Sequence, residues 1–276
     1  MKILVTGHRG YIGSRVYNKL REMNHAVTGL DLKDGNDILH CLPDDTYDYV
    51  FHLAALPRVG FSVENPSYTL KQNVLVTSTL LEWAKKKKVK RVIFSSSAAV
   101  AGNGNGPTSP YGLHKKMSEM ECKLYADLYG LDTVCLRYFN VYSEDQEYGG
   151  SYSTALSTWM EMIRRGEALR LDGSGEQTRD FIHVDDVVMA NIFCMLHSAP
   201  LNGRHLNVAY GKSFSLNYIK NYIDKNNSVE WYYTSSRPGD IVHSTADITG
   251  LRSLGWSPTV SLDQGLQRCF DGKKRQ

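Results

Sequence analysis

The stretch Ile3-Leu4-Val5-Thr6-Gly7-His8-Arg9-Gly10-Tyr11-Ile12-Gly13 decides the fold of this chain. Its first three residues have the character of a buried parallel strand, and glycines follow at positions 7, 10 and 13. Glycines at this spacing let the backbone turn sharply and approach a pyrophosphate. The helix that they open directs its first N–H groups at the anion. The stretch therefore predicts the strand, turn and helix that begin a dinucleotide-binding domain.

Apolar strand patterns alternate with helical patterns through the first half of the chain. Strands are predicted at residues 26–30, 49–53, 91–95 and 133–137, and helices at about 11–23, 68–87 and 111–129. This alternation predicts an α/β protein with a doubly wound parallel sheet. Residues 31–48 are too few for the usual third strand and its helix. We therefore expect that strand to be reduced or missing.

The pattern changes after about residue 149. Short helices and strands then mix with loops such as Asp172-Gly173-Ser174-Gly175. We expect a nucleotide-binding domain over residues 1–149 and a smaller α/β substrate-binding lobe over residues 150–276. Some segments of the lobe are expected to return to the first domain.

Composition excludes several classes of protein. The 276 residues carry a net charge of +3, which gives no general affinity for nucleic acid. The basic run at residues 85–91 is interpreted as a helix end, where cations offset the helix dipole. Five scattered cysteines without a CxxC pair indicate a reducing compartment and no metal site. With no long apolar run for a membrane span or a signal peptide, we expect a cytoplasmic protein.

Asp31 stands at the predicted tip of the second strand, 18 positions beyond Gly13. A carboxylate there accepts hydrogen bonds from ribose hydroxyls and repels a 2′-phosphate. The position favours NAD over NADP as the cofactor. The nearby cation of Lys33 keeps NADP open as the alternative.

Tyr111 and Lys115 are four residues apart on a predicted helix, so they share a face. A free tyrosine has a pKa near ~10, and a neighbouring ammonium and a cationic nicotinamide ring would favour the tyrosinate. Such a group can abstract a proton from a sugar hydroxyl. The strand before the helix ends in Ser95-Ser96-Ser97, where ligands bind in parallel sheets. Ser97, Tyr111 and Lys115 are the predicted catalytic residues.

These residues, with further motifs, resemble the extended short-chain dehydrogenase/reductase family, and within it the NAD-dependent nucleotide-sugar 4-epimerases. The resemblance covers nearly the whole chain and implies a Rossmann fold for the first domain. The motifs are Thr6-Gly7-x-x-Gly10-x-Ile12-Gly13, Asp37-Ile38, His52-Leu53-Ala54-Ala55, Phe94-Ser95-Ser96-Ser97, Tyr111-x-x-x-Lys115, Arg137-Tyr138-Phe139-Asn140, Arg179-Asp180-Phe181-Ile182-His183-Val184-Asp185-Asp186 and Arg237-Pro238-Gly239-Asp240.

The resemblance implies an NAD site and a UDP-sugar site. The cofactor residues would be Gly7, Gly10, Tyr11, Ile12, Gly13, Asp31, Asp37, Ile38, Leu53, Ala54, Ala55, Asn73, Ser95, Tyr111, Lys115 and Tyr138. The substrate residues would be Ser97, Tyr111, Asn140, Arg179, Arg237, Asp240 and Ser244. The two arginines suit the diphosphate, which guanidinium groups grip in a bidentate way. A homodimer formed through the helices containing residues 77–87 and 111–129 is also implied.

The resemblance also narrows the reaction. Related dehydratases and decarboxylases carry an acidic residue beside the catalytic serine or threonine, whereas Ser97 is followed by Ala98-Ala99. This favours 4-epimerisation through a transient 4-keto sugar. Four alternative functions stay open: another NAD(P)-dependent nucleotide-sugar oxidoreductase, an epimerase of a different sugar such as UDP-glucuronate, a dehydratase, and a non-enzymatic dinucleotide sensor.

Two further positions bear on the sugar. Ser244 matches a gate beside the C2 substituent, and its small side chain predicts that N-acetylated sugars are admitted. Tyr111 follows Ser97 by 14 positions, a shorter loop than the family usually has. A short loop predicts a more open sugar site.

Overall fold

The computed structural model describes residues 1–102, 104–149, 154–235 and 243–271. Its strands are β1 Lys2–Thr6, β2 Ala26–Leu30, β3 Tyr49–His52, β4 Arg91–Ser97, β5 Asp132–Tyr138, β6 Asn140–Tyr142, β7 Leu169–Asp172, β8 Thr178–His183, β9 Arg204–Val208, β10 Ser213–Ser215 and β11 Trp231–Thr234. Its α-helices are α1 Tyr11–Glu22, α2 Val59–Glu64, α3 Pro66–Leu70, α4 Val76–Lys86, α5 Pro110–Tyr129, α6 Ala155–Arg165, α7 Val184–Leu196, α8 Leu216–Asn226, α9 Thr249–Ser253 and α10 Leu262–Leu266. None of these helices is long and apolar enough to cross a membrane.

A six-stranded sheet in the order β2-β1-β3-β4-β5-β9 organises the first part of the chain. Strand β1 pairs in parallel with β2 and β3, and β4 pairs in parallel with β3 and β5. The order reverses at β1, as in doubly wound sheets, where the ends of the central strands form the ligand crevice. The predicted α/β class with a parallel sheet is confirmed.

The chain divides into two compact units. Unit 1 comprises Met1–Tyr138 and Val188–Asn207, and unit 2 comprises Phe139–Val187 and Val208–Gln276. The buried Arg91 side chain explains why 188–207 belongs to unit 1. Its guanidinium donates to the carbonyls of Cys194, His197 and Ala199, and so fixes the end of α7 to β4. The folding boundary near residue 149 stays a prediction.

Each unit has its own apolar core. In unit 1, Leu4, Val50, Leu80, Phe94 and Cys135 are among the buried residues. In unit 2, the core lies around two small sheets, β10-β8-β6 and β11-β7. The second core is built largely from Tyr142, Leu156, Trp159, Leu169, Leu171, Phe181, Ile219, Ile223, Leu262 and Leu266.

No strand forms between β2 and β3, which confirms the expected loss of the third strand. A 3₁₀ turn at Leu32–Asp34 follows β2, and the rest of the segment lies against the sheet. Ile38 is buried in the core, and the Trp83 indole N–H donates to the carbonyl of Pro43 (2.9 Å). Side-chain contacts of this kind hold the segment without a strand ladder.

The helix predicted at about residues 68–87 is confirmed, because the chain is helical from Pro66 to Lys86. The prediction did not include the π-helical turn at Lys71–Leu75 that separates α3 from α4 within it. At the centre of this turn, the Asn73 amide accepts the N–H of Leu56 (2.8 Å) and donates to the Leu56 carbonyl (3.2 Å). Because this contact joins residues distant in sequence, local helical periodicity gives no sign of it.

Candidate active site

The glycine turn between β1 and α1 permits close backbone packing. Gly7 has a φ of +72°, and a Cβ on it would lie 2.6 Å from the Ala54 nitrogen. A Cβ on Gly13 would lie 2.0 Å from the Gly7 oxygen. Gly10 is the N-cap of α1, and no side chain caps the helix. The turn therefore fits a pyrophosphate, because the first N–H groups of a helix lack acceptors within the helix.

Asp31 lies directly after β2 with its carboxylate fixed by main-chain donors. One oxygen accepts the N–H of Arg9 and the other accepts the N–H of Lys33, both at 2.9 Å. The carboxylate thus joins the glycine turn to the end of β2. Its chemistry and position fit the ribose hydroxyls of a dinucleotide.

The segment after β3 is held beside the end of β1. The N–H of Leu53 donates to the Thr6 carbonyl (3.1 Å), and the N–H of Ala54 donates to the Thr6 hydroxyl (3.4 Å). Asn73 holds the next part of the segment through the two bonds to Leu56 described above. The structure thus gathers Leu53, Ala54 and Asn73 around the strand ends, and Ala55 lies half-buried between them.

His52 is a buried residue beside this segment to which the sequence reasoning gave no role of its own. Its Nδ1 lies 2.8 Å from the Thr6 hydroxyl and its Nε2 lies 3.0 Å from the Thr77 hydroxyl. Burial, and then the charge of Lys115, lower the pKa of His52 to about 3. His52 is therefore neutral and links β1, β3 and α4. A histidine ending an apolar strand was the available signal.

Tyr111 and Lys115 are both buried on one face of α5. Ser109 caps the helix by accepting the N–H of Gly112 (3.1 Å), and the N–H of Tyr111 donates to the Ser62 hydroxyl (3.0 Å). The Ser97 side chain, at the end of β4, lies close enough to the Tyr111 hydroxyl to lower the pKa of Tyr111. The structure therefore brings Ser97 and Tyr111 close together.

Lys115 binds the main chain of β4. Its Nζ donates to the Ser95 carbonyl (2.6 Å) and lies 4.7 Å from the centre of the Phe94 ring. Burial lowers the pKa of Lys115 to about 8, against smaller raising effects that include Glu119. The ammonium is held close to the strand that ends in Ser97 while remaining mostly protonated at neutral pH.

Within the chain itself, the Lys115 ammonium does not bring the pKa of Tyr111 below its ordinary value, and the lowering expected from this ammonium together with a nicotinamide ring stays a prediction. Burial raises the pKa of Tyr111 to about 12, and the nearby Ser97 side chain offsets only part of this. The reason is that the side chain leaves water, which disfavours the tyrosinate, while the Lys115 ammonium is bonded to a carbonyl. A further positive charge at Tyr111 is needed for the proton to leave near neutral pH.

A buried ion pair fixes α5 to the sheet one turn beyond Lys115. The Glu119 carboxylate accepts two bonds from the Arg137 guanidinium (2.7 and 2.6 Å) and one from the Ser96 hydroxyl (2.6 Å). The sequence reasoning did not include this network. The only signal was that Glu119 lies four residues after Lys115, on the same helix face.

In unit 2, the buried Asp180 is hydrogen-bonded to one of the predicted substrate residues, Asn140. Its main-chain carbonyl accepts the side-chain amide of Asn140 (3.0 Å). Its carboxylate accepts the N–H groups of Tyr210 (2.9 Å), Gly211 (3.0 Å) and Ala246 (3.1 Å). Burial raises the pKa of Asp180 to about 6 despite these donors.

Arg179 and Ser244 meet at the first residue of β8. The Thr178 carbonyl accepts the Arg179 guanidinium (2.9 Å) and the N–H of Ser244 (3.2 Å). Ser244 is half-buried. The structure therefore brings together the predicted diphosphate-binding arginine and the predicted sugar gate. Arg237 and Asp240 lie outside the described residues.

Other predicted cofactor residues have structural contacts of their own. The Tyr138 hydroxyl is buried and donates to the Asn191 side chain (2.9 Å). Asp37 accepts the N–H of Leu39 (2.9 Å), and the buried Ile38 packs in the core. Tyr11 and Ile12 form the first turn of α1. In the described ranges, no three His, Cys, Asp or Glu side chains are grouped to hold a metal ion.

The chain is similar to known epimerases in both sequence and structure. A UDP-glucose 4-epimerase of Mycolicibacterium smegmatis is 30% identical, with 98% of each chain covered. The UDP-N-acetylglucosamine 4-epimerase of Methanobrevibacter ruminantium, solved with UDP-N-acetylmuramic acid, is 31% identical with a TM-score of 0.87, covering 98% of this chain and 96% of that one.

A third relative extends the range of sugars. The UDP-glucuronic acid 4-epimerase of Bacillus cereus, solved with UDP-glucuronic acid and NAD, is 30% identical with a TM-score of 0.87, and 98% of each chain is covered. The sequence model of the NAD dependent epimerase/dehydratase family matches residues 3–209. The chain belongs to this family of NAD dependent epimerases and dehydratases.

Proposed function

We propose that this protein is an isomerase that interconverts UDP-sugars epimeric at C4, with NAD as its cofactor. The observation that carries the proposal is the buried group in unit 1, in which Tyr111 lies near Ser97 and Lys115 binds the strand leading to Ser97. Tyr111 is the group that takes the proton from the sugar O4 and later returns it. Ser97 hydrogen-bonds the same oxygen and so positions it.

The charges around Tyr111 decide when the proton moves. Burial holds Tyr111 protonated in the chain alone, and the Lys115 ammonium is the positive charge that the protein itself supplies. NAD⁺ held by the glycine turn and Asp31 would supply the hydride acceptor for C4, and the reduced form, NADH, would supply the hydride that returns to the opposite face of the keto sugar. Because the oxidised nicotinamide ring is cationic, it would favour the tyrosinate at the stage when the O4 proton must leave.

Local geometry argues against dehydration. In the 3₁₀ turn Ala98–Val100, Ala98 and Ala99 follow Ser97 directly, and the Ser97 hydroxyl accepts the N–H of Ala99 (3.2 Å). These residues offer no carboxyl group to remove a proton from carbon. The oxygen-directed chemistry of Tyr111 is what remains, and it supports reversible oxidation at one carbinol carbon.

The proposal also concerns which UDP-sugars the protein accepts. The relatives act on UDP-glucose, UDP-N-acetylglucosamine and UDP-glucuronic acid. We infer that N-acetylated sugars are accepted here, because the half-buried Ser244, which lies beside Arg179 at the start of β8, has a small side chain. Arg179 and Arg237 would bind the diphosphate, Asp240 the nucleotide ribose, and Asn140 the sugar.

Product analysis tests this function directly. The purified protein would be incubated with UDP-glucose, UDP-galactose, their N-acetyl forms and UDP-glucuronic acid, without added dinucleotide, and the products followed by NMR. We expect interconversion of the 4-epimers with no net formation of NADH. Release of a keto sugar or a net change in NADH would instead identify an oxidoreductase, and an inert protein would reject the proposal.

We also propose a homodimer formed through α4 and α5. Helix α5 presents an exposed apolar stripe, and the side chains on it are Leu113, Met120, Leu124 and Leu128. Their spacing places them along one side of the helix, where a second copy of the helix pair would bury them. Light scattering should give the mass of two chains, and Leu124→Lys should shift it to one. A wild-type monomer would exclude the dimer.

The cell compartment is part of the same proposal. All five cysteines are free, and Cys122, Cys135 and Cys194 are buried. Buried thiols without disulfides are typical of proteins from a reducing compartment. We therefore place the protein in the cytoplasm, to be checked by fractionation of the cells that produce it.

A further inference from the structure

Charged side chains of both signs surround the turn where β1 and β2 end. Asp31 belongs to the cofactor site described above, and its carboxylate binds main-chain N–H groups rather than cations. The cations Arg9 and Lys33 lie beside it, and the Lys33 ammonium donates to the Arg9 carbonyl (3.3 Å). A basic group at this place is what a 2′-phosphate would bind.

The Asp34 carboxylate binds the Arg9 guanidinium. The Arg9 guanidinium forms an ion pair and a hydrogen bond with one Asp34 oxygen, and the other oxygen lies 3.3 Å from the Nε2 of His8. The Asp34 side chain is 28% exposed and that of His8 is 17% exposed, so both are partly shielded from water. The carboxylate therefore holds two groups that would otherwise face an incoming anion.

The His8 ring also packs against groups other than Asp34. Its ring packs against Gly29, where a Cβ would come within 2.5 Å of the imidazole carbons, and against the Tyr17 ring at 5.1 Å. The Nε2 atom is thus aimed at Asp34 by the surrounding backbone. Removal of the Asp34 carboxylate would leave the imidazole in place.

We propose that Asp34 is a second cofactor-selecting residue, which excludes 2′-phosphorylated dinucleotides by holding Arg9 and His8 and by adding a negative charge beside Asp31. The inference rests on the proposed dinucleotide site. A 2′-phosphate would need the Arg9 guanidinium, which binds phosphate in a bidentate way. With Asp34 in place, that guanidinium is already paired and a second carboxylate repels the phosphate.

A competition experiment measures this selectivity without any turnover. The full-length protein would be equilibrated with an excess of equimolar NAD⁺ and NADP⁺, freed of unbound nucleotide by gel filtration and denatured. The released dinucleotides would then be separated by anion exchange. We expect Asp34→Asn to raise the bound NADP⁺/NAD⁺ ratio by roughly tenfold over wild type, the size of one charge-assisted contact. The gain should shrink at high salt, because Arg9 is half-exposed.

Two further variants make the outcome decisive. Adding Arg9→Gln to Asp34→Asn should remove the gain, because the guanidinium is then absent. Glu22→Gln is the matched control, since it also removes one carboxylate from an exposed ion pair, with Lys19 at the far end of α1. It should leave the ratio unchanged.

The proposal is overturned if Asp34→Asn leaves the ratio within twofold of wild type, if Glu22→Gln raises it equally, or if the gain survives loss of Arg9. A protein that binds NAD⁺ selectively but epimerises no UDP-sugar would refute the proposed activity alone. Binding of neither dinucleotide would reject the cofactor site and this inference with it.

Discussion

Each unit of the chain contains a buried charged side chain that is hydrogen-bonded to the main chain and whose pKa is shifted by burial. In unit 1, the Lys115 ammonium donates to the Ser95 carbonyl, and burial lowers its pKa to about 8. In unit 2, the Asp180 carboxylate accepts N–H groups of Tyr210, Gly211 and Ala246, and burial raises its pKa to about 6. Both groups are shifted towards their neutral forms.

The two sites differ in what the buried charge holds. Lys115 joins helix α5 to strand β4, close to Tyr111, the residue that we propose to transfer a proton. Asp180, in strand β8, binds two loops through main-chain N–H groups. One of these loops contains Ala246, two positions after Ser244. A buried charge is unfavourable unless its surroundings satisfy it, so each is expected to serve the reaction. Changes in unit 1 should affect the rate for every sugar, and changes in unit 2 should affect recognition.

Tyr111→Phe should have the largest effect. Loss of the hydroxyl removes the proton acceptor, so kcat should fall by roughly 10² to 10⁴-fold for all accepted sugars. Steady-state assays of purified protein would measure it. Tyr129→Phe is the control on the same helix, because that tyrosine is half-exposed. A Tyr111→Phe variant with more than a tenth of the wild-type rate would remove Tyr111 from the chemistry.

Lys115→Met should separate activity from stability. We expect kcat to fall roughly 100-fold, as for loss of a group that assists proton transfer. The free energy of unfolding at pH 7 should rise by about 2 kcal/mol, since the lowered pKa of Lys115 shows that its charged form is disfavoured in the folded state. Lys116→Met, at a more exposed position, is the control.

The sign of the pH dependence checks the same residue. The folded-state pKa of Lys115, about 8, lies below its ordinary value of 10.5, so above pH 8 the unfolded chain holds this proton more tightly. The wild type should therefore gain stability between about pH 8 and pH 10.5, and the difference from Lys115→Met should close there. A variant less stable than wild type throughout would contradict the assignment of a buried ammonium.

Ser244→Tyr should alter selectivity and not the chemistry. A bulky ring at this position would overlap an acetamido group, which we expect to lower kcat/KM for N-acetylated sugars by roughly 10 to 100-fold relative to UDP-glucose. Thr245→Tyr is the matched control, because Thr245 is next to Ser244 and is exposed. Equal losses for both kinds of sugar would refute the gate.

Asp180→Asn should have the smallest kinetic effect. An amide offers one acceptor oxygen where the carboxylate offers two, so the three N–H donors lose part of their partners. We expect KM to rise by roughly three to tenfold and the free energy of unfolding to fall by about 1–3 kcal/mol, with kcat little changed. Asp247→Asn, at an exposed position on the same loop, is the control. Reduced stability with an unchanged KM would confine Asp180 to a structural role.

Local patterns predicted most of the first unit. The apolar runs and glycine spacing were sufficient for the strands of the sheet, and the short segment after Asp31 was sufficient to predict the lost strand. The Tyr111–Lys115 spacing placed both residues on one helix face, because that geometry is periodic. Contacts between distant segments were not predictable in this way. The Glu119–Arg137 pair and the His52–Thr77 link each depend on how separate elements pack.

The pKa shifts of the site residues were harder to predict from the sequence than the positions of these residues in the fold. The sequence indicated that a lysine near a tyrosine would lower the tyrosine pKa, whereas burial of Tyr111 acts in the opposite direction and is larger. The extent of burial depends on the whole fold, including Ser62 and α2, and so does not follow from the spacing of two residues. The roles of the predicted site residues stay predictions, and Arg237 and Asp240 also lie outside the described residues.

The π-helical turn at Lys71–Leu75 restricts where residues can be inserted into or deleted from this chain. A π turn holds one residue more than a regular helical turn, so deletion of a single residue there would restore an ordinary helix. Everything before the deletion would then rotate by about 100° relative to α4. Asn73 would leave the main chain of Leu56, which it binds through both atoms of its amide. Relatives that keep this amide contact should therefore tolerate insertions and deletions in the loops on either side but not within the helix itself.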